Sequence, residues 1–236
     1  MNGQELEPAR EPTRFELAFY KFIRTSAVGF SRVFWRLKVE GIDNIPNVGS
    51  FILAPVHRSN VDSLVVAAAT KRRMRYMGKK EMWKFRLSDW FFSTMGGIPV
   101  DRGTPDRDAL RACEEVTKGG EPLVMFPEGT RRSGAVIEDI FDGVAFVSAR
   151  TGVPIVPVGI GGSESAMPKG AKMIRPVRIR MIIGPALYPE KPTEGGRVPR
   201  RAVRELSESL KSEMQRLFDQ AEGRQESMQG NKRTSG

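Results

Sequence analysis

The sequence predicts a single α/β domain with a mixed, mostly parallel sheet flanked by helices. Short apolar runs of strand length alternate with stretches of helical periodicity along most of the chain. Such alternation is typical of α/β folds, in which helices connect the strands and cover the sheet. The length of 236 residues suits one large domain rather than two. A hydrophobic fraction of 39% and a charged fraction of 28% are typical of a globular protein.

The chain divides into four predicted segments. Residues 1–12 are polar and contain Pro8 and Pro12, which predicts a disordered lead. Residues 13–36 have helical periodicity, and residues 37–222 form the predicted folded domain. Residues 223–236 lack apolar periodicity, so we expect a disordered tail.

The predicted first helix carries aromatic and basic residues along about six turns, with Thr13 as a candidate N-cap. Its apolar side is wide and aromatic, and its cations outnumber its single acidic residue, Glu16. We therefore expect an amphipathic helix that lies at a membrane surface. The alternative is a helix that only packs on the core.

The remaining elements follow in alternation. Strands are predicted at 37–41, 50–55, 74–77, 98–101, 123–126, 155–160 and 177–183. Helices are predicted at 61–71, 82–95, 105–118, 143–151 and 200–222. The last helix has apolar residues spaced by three and four positions, which indicates that one side of it packs against the domain.

The charge of the chain indicates an anionic partner. The 38 Lys and Arg residues exceed the 28 Asp and Glu residues, for a net charge of +10. Nucleic acid, a phosphorylated metabolite or an acidic membrane surface would each suit this charge. No apolar run reaches the roughly 18 uncharged residues of a membrane span, and the first residues lack the pattern of a secretory signal. We therefore expect the protein in the cytoplasm or on the cytoplasmic face of the membrane.

Several kinds of site find no support in the sequence. Cys113 is the only cysteine, which excludes an internal disulfide and a cysteine-built metal site, and its apolar neighbours predict a core thiol. The P-loop and H-E-x-x-H patterns are absent, and Ser163 lacks the closing glycine of a nucleophile elbow. We expect no bound metal.

His57 is the only histidine of the chain, and it follows the apolar run 50–55 and precedes Asp62 by five positions. An imidazole titrates near neutrality and can take a proton from an alcohol, and a carboxylate on its other nitrogen fixes the tautomer. The alternative is a structural histidine beside a helix start, since Ser59 and Asp62 also fit a capping box.

Two further loops at predicted strand ends carry charged residues. Residues 126–131, Phe-Pro-Glu-Gly-Thr-Arg, follow a buried run, and Arg131 and Arg132 are suited to grip a phosphate bidentately. The run Ile98-Pro-Val ends on Asp101 and Arg102. Ligands bind at such strand ends in open α/β sheets, although each loop taken alone also fits an ordinary turn with solvated charges.

Four blocks occur in order along the chain: His57-x4-Asp62, residues 97–102, residues 126–131 and residues 153–158. Together they resemble the motif blocks of the glycerophosphate and lysophosphatidate acyltransferase family, and those of the bacterial 1-acyl-sn-glycerol-3-phosphate acyltransferases in particular. A single His-x4-Asp occurs by chance, whereas four blocks in order are specific. The resemblance covers about residues 35–190.

The resemblance implies a role for each block. His57 would be the general base and Asp62 its orienting partner. The residues expected to hold the substrate phosphate are Lys79, Arg102, Glu128, Gly129, Thr130 and Arg131. No metal or other cofactor is expected, and the acyl donor would be a thioester of coenzyme A or of acyl carrier protein.

The reaction that the resemblance implies is transfer of a fatty acyl chain to the sn-2 hydroxyl of lysophosphatidate, which gives phosphatidate for phospholipid synthesis. Glycerol 3-phosphate or another lysophospholipid is the alternative acceptor. A basic module that binds a membrane surface or nucleic acid is the alternative of another class, motivated by the charge and by residues 71–75. It leaves the four blocks unexplained, so we expect a peripheral, monotopic enzyme with no nucleic-acid partner.

Overall fold

The structure, a computed structural model, describes residues 12–100, 107–190 and 198–223. The strands within these residues are β1 (Lys38–Glu40), β2 (Ile52–Pro55), β3 (Arg75–Lys79), β4 (Gly97–Val100), β5 (Leu123–Val124), β6 (Ile155–Gly161) and β7 (Arg180–Ile183). They form one sheet in the order β1-β7-β6-β2-β5-β3-β4. Neighbouring strands are parallel except for β6 and β7, which are antiparallel. The predicted mixed, mostly parallel sheet is confirmed.

The helices within the described residues are α1 (Arg14–Phe34), α2 (Asp62–Val65), α3 (Arg86–Thr94), α4 (Arg107–Lys118), α5 (Gly143–Thr151), α6 (Ser163–Ala166) and α7 (Arg200–Ala221). The chain moves outward from β2 to β3 and β4, and then returns to β5 and β6. Because crossovers between parallel strands are right-handed, the outward and return connections cover opposite faces of the sheet. Accordingly α1 contacts α2 and α3, whereas α4, α5 and α7 contact one another in series.

Two of the predicted helices are shorter than the sequence pattern suggests. In place of the single helix predicted at 61–71, the chain forms α2 and a 3₁₀ turn at Val66–Ala68, and the Thr70 carbonyl that follows them accepts a hydrogen bond from Arg24 of α1. In place of the single helix predicted at 82–95, the chain forms a 3₁₀ turn at Lys80–Trp83 followed by α3. Phe85 has an extended backbone between them, and its N–H donates to the hydroxyl of Ser88.

Helix α1 begins with Thr13 as its N-cap, and the Thr13 hydroxyl and the Glu16 carboxylate form a reciprocal capping box. One side of α1 packs on the domain through Tyr20 and Ser31, which are buried. The other side leaves large apolar side chains exposed. No helix of the described residues has the length and hydropathy that a membrane span requires.

Helix α7 lies directly against β6 because two glycines let the backbones approach. A Cβ atom added at Gly159 would lie 2.3 Å from the Leu217 carbonyl carbon, and one added at Gly161 would lie 2.4 Å from the Ala221 oxygen. Leu210, Met214 and Leu217 of α7 are buried against this face of the sheet. Helix α7 therefore covers the hydrophobic core on this face of the sheet.

This close approach predicts that Gly159→Ala destabilises the protein by about 1–3 kcal/mol, because α7 must move away from β6 to admit the methyl group. The measurement is the free energy of unfolding in urea. Gly29→Ala in α1 is the matched control: no atom lies within 4 Å of the added Cβ, and alanine favours a helix by about 1 kcal/mol over glycine. Equal stability of Gly159→Ala and the wild type would contradict the described packing.

Candidate active site

The site lies at one edge of the sheet, where two adjacent parallel strands end. His57 follows β2, and residues 126–131 follow β5, which pairs with β2 through Ile52 and Leu123. Carboxyl ends of parallel strands meet at the same edge, so residues separated by about 70 positions in sequence become neighbours. A hydrogen bond from the Arg132 N–H to the His57 carbonyl, 2.9 Å long, joins the two loops.

His57 and Asp62 are in direct contact. The distance from His57 Nδ1 to Asp62 Oδ2 is 3.1 Å, and the Asp62 side chain is completely buried. The same oxygen accepts the backbone N–H groups of Arg58 and Ser59, each at 2.7 Å. These donors compensate the negative charge of the buried carboxylate. Because an ionised carboxylate only accepts hydrogen bonds, Nδ1 donates its proton to Asp62, and the lone pair of the imidazole is on Nε2.

The rest of the imidazole environment leaves Nε2 available. The Phe126 ring stacks on the imidazole with 4.1 Å between the ring centroids, and the His57 side chain is 13% exposed. Within the described residues Nε2 makes no hydrogen bond. The arrangement suits an imidazole that accepts a proton from a hydroxyl group entering from solvent.

Glu128 occupies a different position from that expected of a phosphate ligand. Its Oε1 accepts the backbone N–H of His57 at 2.9 Å, and its Oε2 accepts Nη1 of Arg58. Glu128 is completely buried. Both carboxylate oxygens therefore have protein partners, and an anionic carboxylate does not attract a phosphate, so this position does not fit a direct phosphate contact.

The Arg58 guanidinium joins four segments of the protein. Besides Glu128, its Nε and Nη2 donate to the carbonyls of Gly134 and Val136 at 3.2 and 3.3 Å. The guanidinium also lies over the Phe218 ring of α7, 4.9 Å from the centroid. In the sequence Arg58 is an ordinary cation in a polar loop, so no local signal points to this buried role.

Gly129, Thr130 and Arg131 form a tight turn after Glu128. Gly129 has a φ of +65°, and an added Cβ would lie 2.6 Å from the Phe141 ring, so glycine is favoured there. The Thr130 N–H donates to the Glu128 carbonyl at 2.7 Å, which closes the turn. Thr130 is exposed and Arg131 is half-buried, so both remain accessible to a ligand.

This turn opens on a cationic hollow of about 220 Å³, which its residues share with a distant loop. The lining residues are Thr130, Arg131, Arg132, Ser133, Glu138 and Lys169. Three cations face one carboxylate, Glu138, which lies 3.4 Å from Arg132. The excess positive charge suits a phosphate group. Lys169 was not predicted, because it lies beyond all four sequence blocks.

The remaining predicted phosphate residues are not in this hollow. Lys79 is the last residue of β3 and is exposed, at the same edge of the sheet but beyond β5. Arg102, together with Asp101, lies outside the described residues.

Other features near the site have a different chemical character. A second hollow of about 220 Å³ lies beside Arg58 and includes Glu164 and Glu222, so it does not suit an anion. The residues that the structure describes contain no group of three or more side chains suited to hold a metal ion.

Burial raises the pKa of the Cys113 thiol to about 12, which fits the predicted core thiol.

Comparison with known proteins places these residues in a family. Residues 36–161, just over half of the chain, match the family described as Acyltransferase. A 1-acyl-sn-glycerol-3-phosphate acyltransferase of Streptococcus pneumoniae is 31% identical over 151 residues, which are 61% of this chain and 54% of that protein. The chloroplastic enzyme BAT2 of Brassica napus is 27% identical over 183 residues, 75% of this chain and 53% of that protein. The chain thus spans about half the length of these relatives.

Another relative and one solved structure cover more of their own length. The Bacillus subtilis 1-acyl-sn-glycerol-3-phosphate acyltransferase is 26% identical over 170 residues, 72% of this chain and 82% of that protein. The fold is that of the 1-acyl-sn-glycerophosphate acyltransferase PlsC from Thermotoga maritima, with a TM-score of 0.67. That match has 24% identity and covers 87% of this chain and 83% of the other.

The buried contact between Arg58 and Glu128 predicts strong energetic coupling. Arg58→Met or Glu128→Gln alone leaves an unpaired buried group and is expected to cost about 3–5 kcal/mol, whereas the double variant should cost clearly less than the sum. Urea unfolding of the four proteins of the cycle measures this coupling. The exposed pair Arg201 and Glu205 is the control, and it should show no measurable coupling. Additive losses at Arg58 and Glu128 would contradict their pairing.

Proposed function

Because the chain belongs to the acyltransferase family, we propose that it transfers a fatty acyl chain from an acyl thioester to the sn-2 hydroxyl of 1-acylglycerol 3-phosphate, giving phosphatidate. The observation that carries the proposal is the contact between His57 and Asp62 beside a cationic hollow at one edge of the sheet. The Streptococcus and Bacillus relatives, both named as 1-acyl-sn-glycerol-3-phosphate acyltransferases, support the choice of acceptor.

In the proposed reaction Nε2 of His57 takes the proton of the sn-2 hydroxyl while the hydroxyl oxygen attacks the thioester carbonyl carbon. The carbon–sulfur bond then breaks, and the imidazolium returns the proton to the leaving sulfur. The products are the new ester and a free thiol. A positioned base contributes on the order of 10² to 10⁴ in rate to such a step. The thioester is already activated, so the reaction needs no acyl-enzyme and no cofactor.

Asp62 has two effects in this proposal. Its Oδ2 holds the proton on Nδ1, which keeps Nε2 in the basic form, and its charge stabilises the imidazolium that forms during the attack. Because two backbone N–H groups fix the carboxylate, the ring orientation follows from the loop conformation. Asp62 therefore acts through His57 and not on the substrate.

We assign the acceptor phosphate to the cationic hollow. Arg131 can grip two phosphate oxygens, and Arg132 and Lys169 add positive charge on the other walls. Thr130 supplies a hydroxyl, and Gly129 allows the turn that brings it there. Lys79 and Arg102 keep their assignment to the phosphate site as proposals, whereas we assign Glu128 to positioning the His57 backbone.

The donor is proposed to be a fatty acyl thioester of coenzyme A or of acyl carrier protein. Both donors present the same reacting group, a thioester carbonyl, so His57 serves either one. Glycerol 3-phosphate shares the phosphate of the proposed acceptor but has no acyl chain. A direct comparison of the two acceptors therefore distinguishes the main proposal from its alternative.

Because the proposed acceptor and product are lipids, we propose that α1 lies at the surface of an anionic membrane, on its cytoplasmic face. Phe15, Phe22 and Val33 are exposed, and their spacings of seven and eleven residues place them on one side of the helix. Arg14 and Lys21 are exposed next to this side. Aromatic residues beside cations are typical of helices that lie in the headgroup region.

The base is tested by substitution. His57→Ala should lower kcat by a factor of order 10² or more with an unchanged melting temperature, because no other histidine can replace it. Asp62→Asn should lower kcat less, since the imidazole remains in place. The measurement is release of free thiol from a long-chain acyl thioester with 1-acylglycerol 3-phosphate as acceptor. If His57→Ala retained more than about a tenth of the wild-type turnover, the proposed mechanism would be wrong.

The phosphate assignment is tested by separate Michaelis constants. Arg131→Gln should raise KM for the acceptor by about tenfold or more while KM for the thioester stays unchanged, because a charge-assisted contact to the phosphate is lost. Arg204→Gln, an exposed arginine of α7, is the matched control and should change neither constant. An equal rise in both constants would reassign Arg131 to the donor. Assays with glycerol 3-phosphate in parallel test the alternative acceptor.

A further inference from the structure

Two exposed stretches outside α1 have the same composition. Residues 84–87, the first tip, read Lys-Phe-Arg-Leu, and residues 172–175, the second tip, read Lys-Met-Ile-Arg. Each tip contains two cations, two large apolar residues and no acid. Phe85, Leu87 and Met173 are 75%, 77% and 79% exposed. Large apolar side chains this exposed need a partner in a working protein when they cluster beside one another.

The topology places both tips at the edge of the sheet that carries His57. The first tip follows the end of β3, which is parallel to β5 and, through it, to β2. The second tip precedes β7, and because β7 is antiparallel to β6, its start pairs with the end of β6: Arg180 lies opposite Gly161. Strand β6 is in turn parallel to β2.

The two tips lie on opposite sides of the candidate active site. In the strand order, β3 is two strands from β2 in one direction and β7 is two strands from β2 in the other. His57 follows β2 and therefore lies between the tips along the edge. A flat surface that contacts both tips would therefore also cover the part of the edge that carries the His57 loop.

Internal contacts hold each tip in place. Next to the first tip, Trp83 packs on Phe92 with 5.3 Å between the ring centroids, and its indole N–H donates to Ser93. Next to the second tip, the Met167 carbonyl accepts the Ser59 hydroxyl at 2.8 Å, and the Arg175 carbonyl accepts the indole N–H of Trp35. The exposed apolar side chains are thus presented on fixed supports, which lowers the entropic cost of docking.

We propose that the two tips dock the protein on the surface of an anionic bilayer, one on either side of His57. The apolar side chains enter the boundary between headgroups and acyl chains, and the flanking cations attract acidic headgroups. Nucleic acid would use the cations but not the aliphatic Leu87 and Ile174. A bilayer surface, in contrast, would interact with both the cations and the apolar side chains of each tip. This inference rests on the proposed function, because docking would let a lipid acceptor reach the imidazole without leaving the bilayer surface.

The experiment is sedimentation of the full chain with vesicles of phosphatidylglycerol and phosphatidylcholine. The variants are Phe85→Ser/Leu87→Ser for the first tip and Met173→Ser for the second. We expect each to lower the partition coefficient by about tenfold, and their combination to lower it further. Val48→Ser is the matched control, because Val48 is 83% exposed but precedes β2 and so lies at the opposite edge. Phe22→Ser reports separately on α1.

A charge variant tests the cationic part independently. Lys84→Glu/Arg86→Glu should weaken binding to vesicles that contain phosphatidylglycerol and leave binding to phosphatidylcholine alone unchanged. High salt should weaken wild-type binding to the anionic vesicles in the same way, because it screens the cations. Melting temperatures equal to that of the wild type show that the variants are folded. The proposal is overturned if folded tip variants bind vesicles as tightly as Val48→Ser.

Turnover of a short-chain 1-acylglycerol 3-phosphate that is monomeric in solution separates this inference from the proposed function. The tip variants should acylate it at the wild-type rate but act slowly on acceptor embedded in vesicles. If the wild type acylates neither acceptor while binding still depends on the tips, docking stands and the proposed function fails. If the wild type acylates the soluble acceptor and binding does not depend on the tips, docking fails and the function stands.

Discussion

The candidate active site depends on the buried ion pair between Arg58 and Glu128. This pair joins the loop after β2 to the loop after β5, and the same carboxylate accepts the N–H of His57. Each charge would be costly to bury alone, so the pair is stable only when both loops are in place. The backbone position of His57 and the start of the turn at Gly129 are consequently set together.

Two carboxylates position the imidazole of His57. Glu128 fixes the backbone of His57, and Asp62 fixes its ring through Nδ1. The Arg58 guanidinium also rests on Phe218 of α7, and α7 itself lies against β6 through Gly159. The packing of the last helix is thereby connected to the geometry of the site, although the helix contributes no group to the proposed chemistry.

One edge of the sheet combines the proposed chemistry with the proposed route to the lipid. His57, the cationic hollow and the first tip follow the carboxyl ends of parallel strands, where the backbone connections leave room for ligands, and the second tip reaches the same edge because it precedes the antiparallel strand β7. Helix α1 packs on the domain through Tyr20 and exposes Phe22 on its other side. The proposed attachment to a membrane and the proposed base would then both depend on the same arrangement of strands.

The sequence alone determined the features that depend on neighbours in the chain. The alternation of strand and helix patterns predicted the sheet, and the five-residue spacing of His57 and Asp62 predicted a contact that a single loop can form. The order of four blocks predicted the family. These signals depend on short residue spacings or on the order of motifs along the chain, so the sequence is enough to recognise them.

Only the tertiary structure decided the features that depend on partners distant in sequence. The stretch 61–71 forms α2 and a 3₁₀ turn instead of one helix, and Arg24 of α1, distant in sequence, binds its Thr70 carbonyl. Glu128, which the resemblance implied as a phosphate residue, is paired with Arg58, 70 positions away, and Lys169 lines the hollow from a loop with no motif. The physical reason is that burial removes a charge from water, and the partner that compensates it is chosen by how the strands pack.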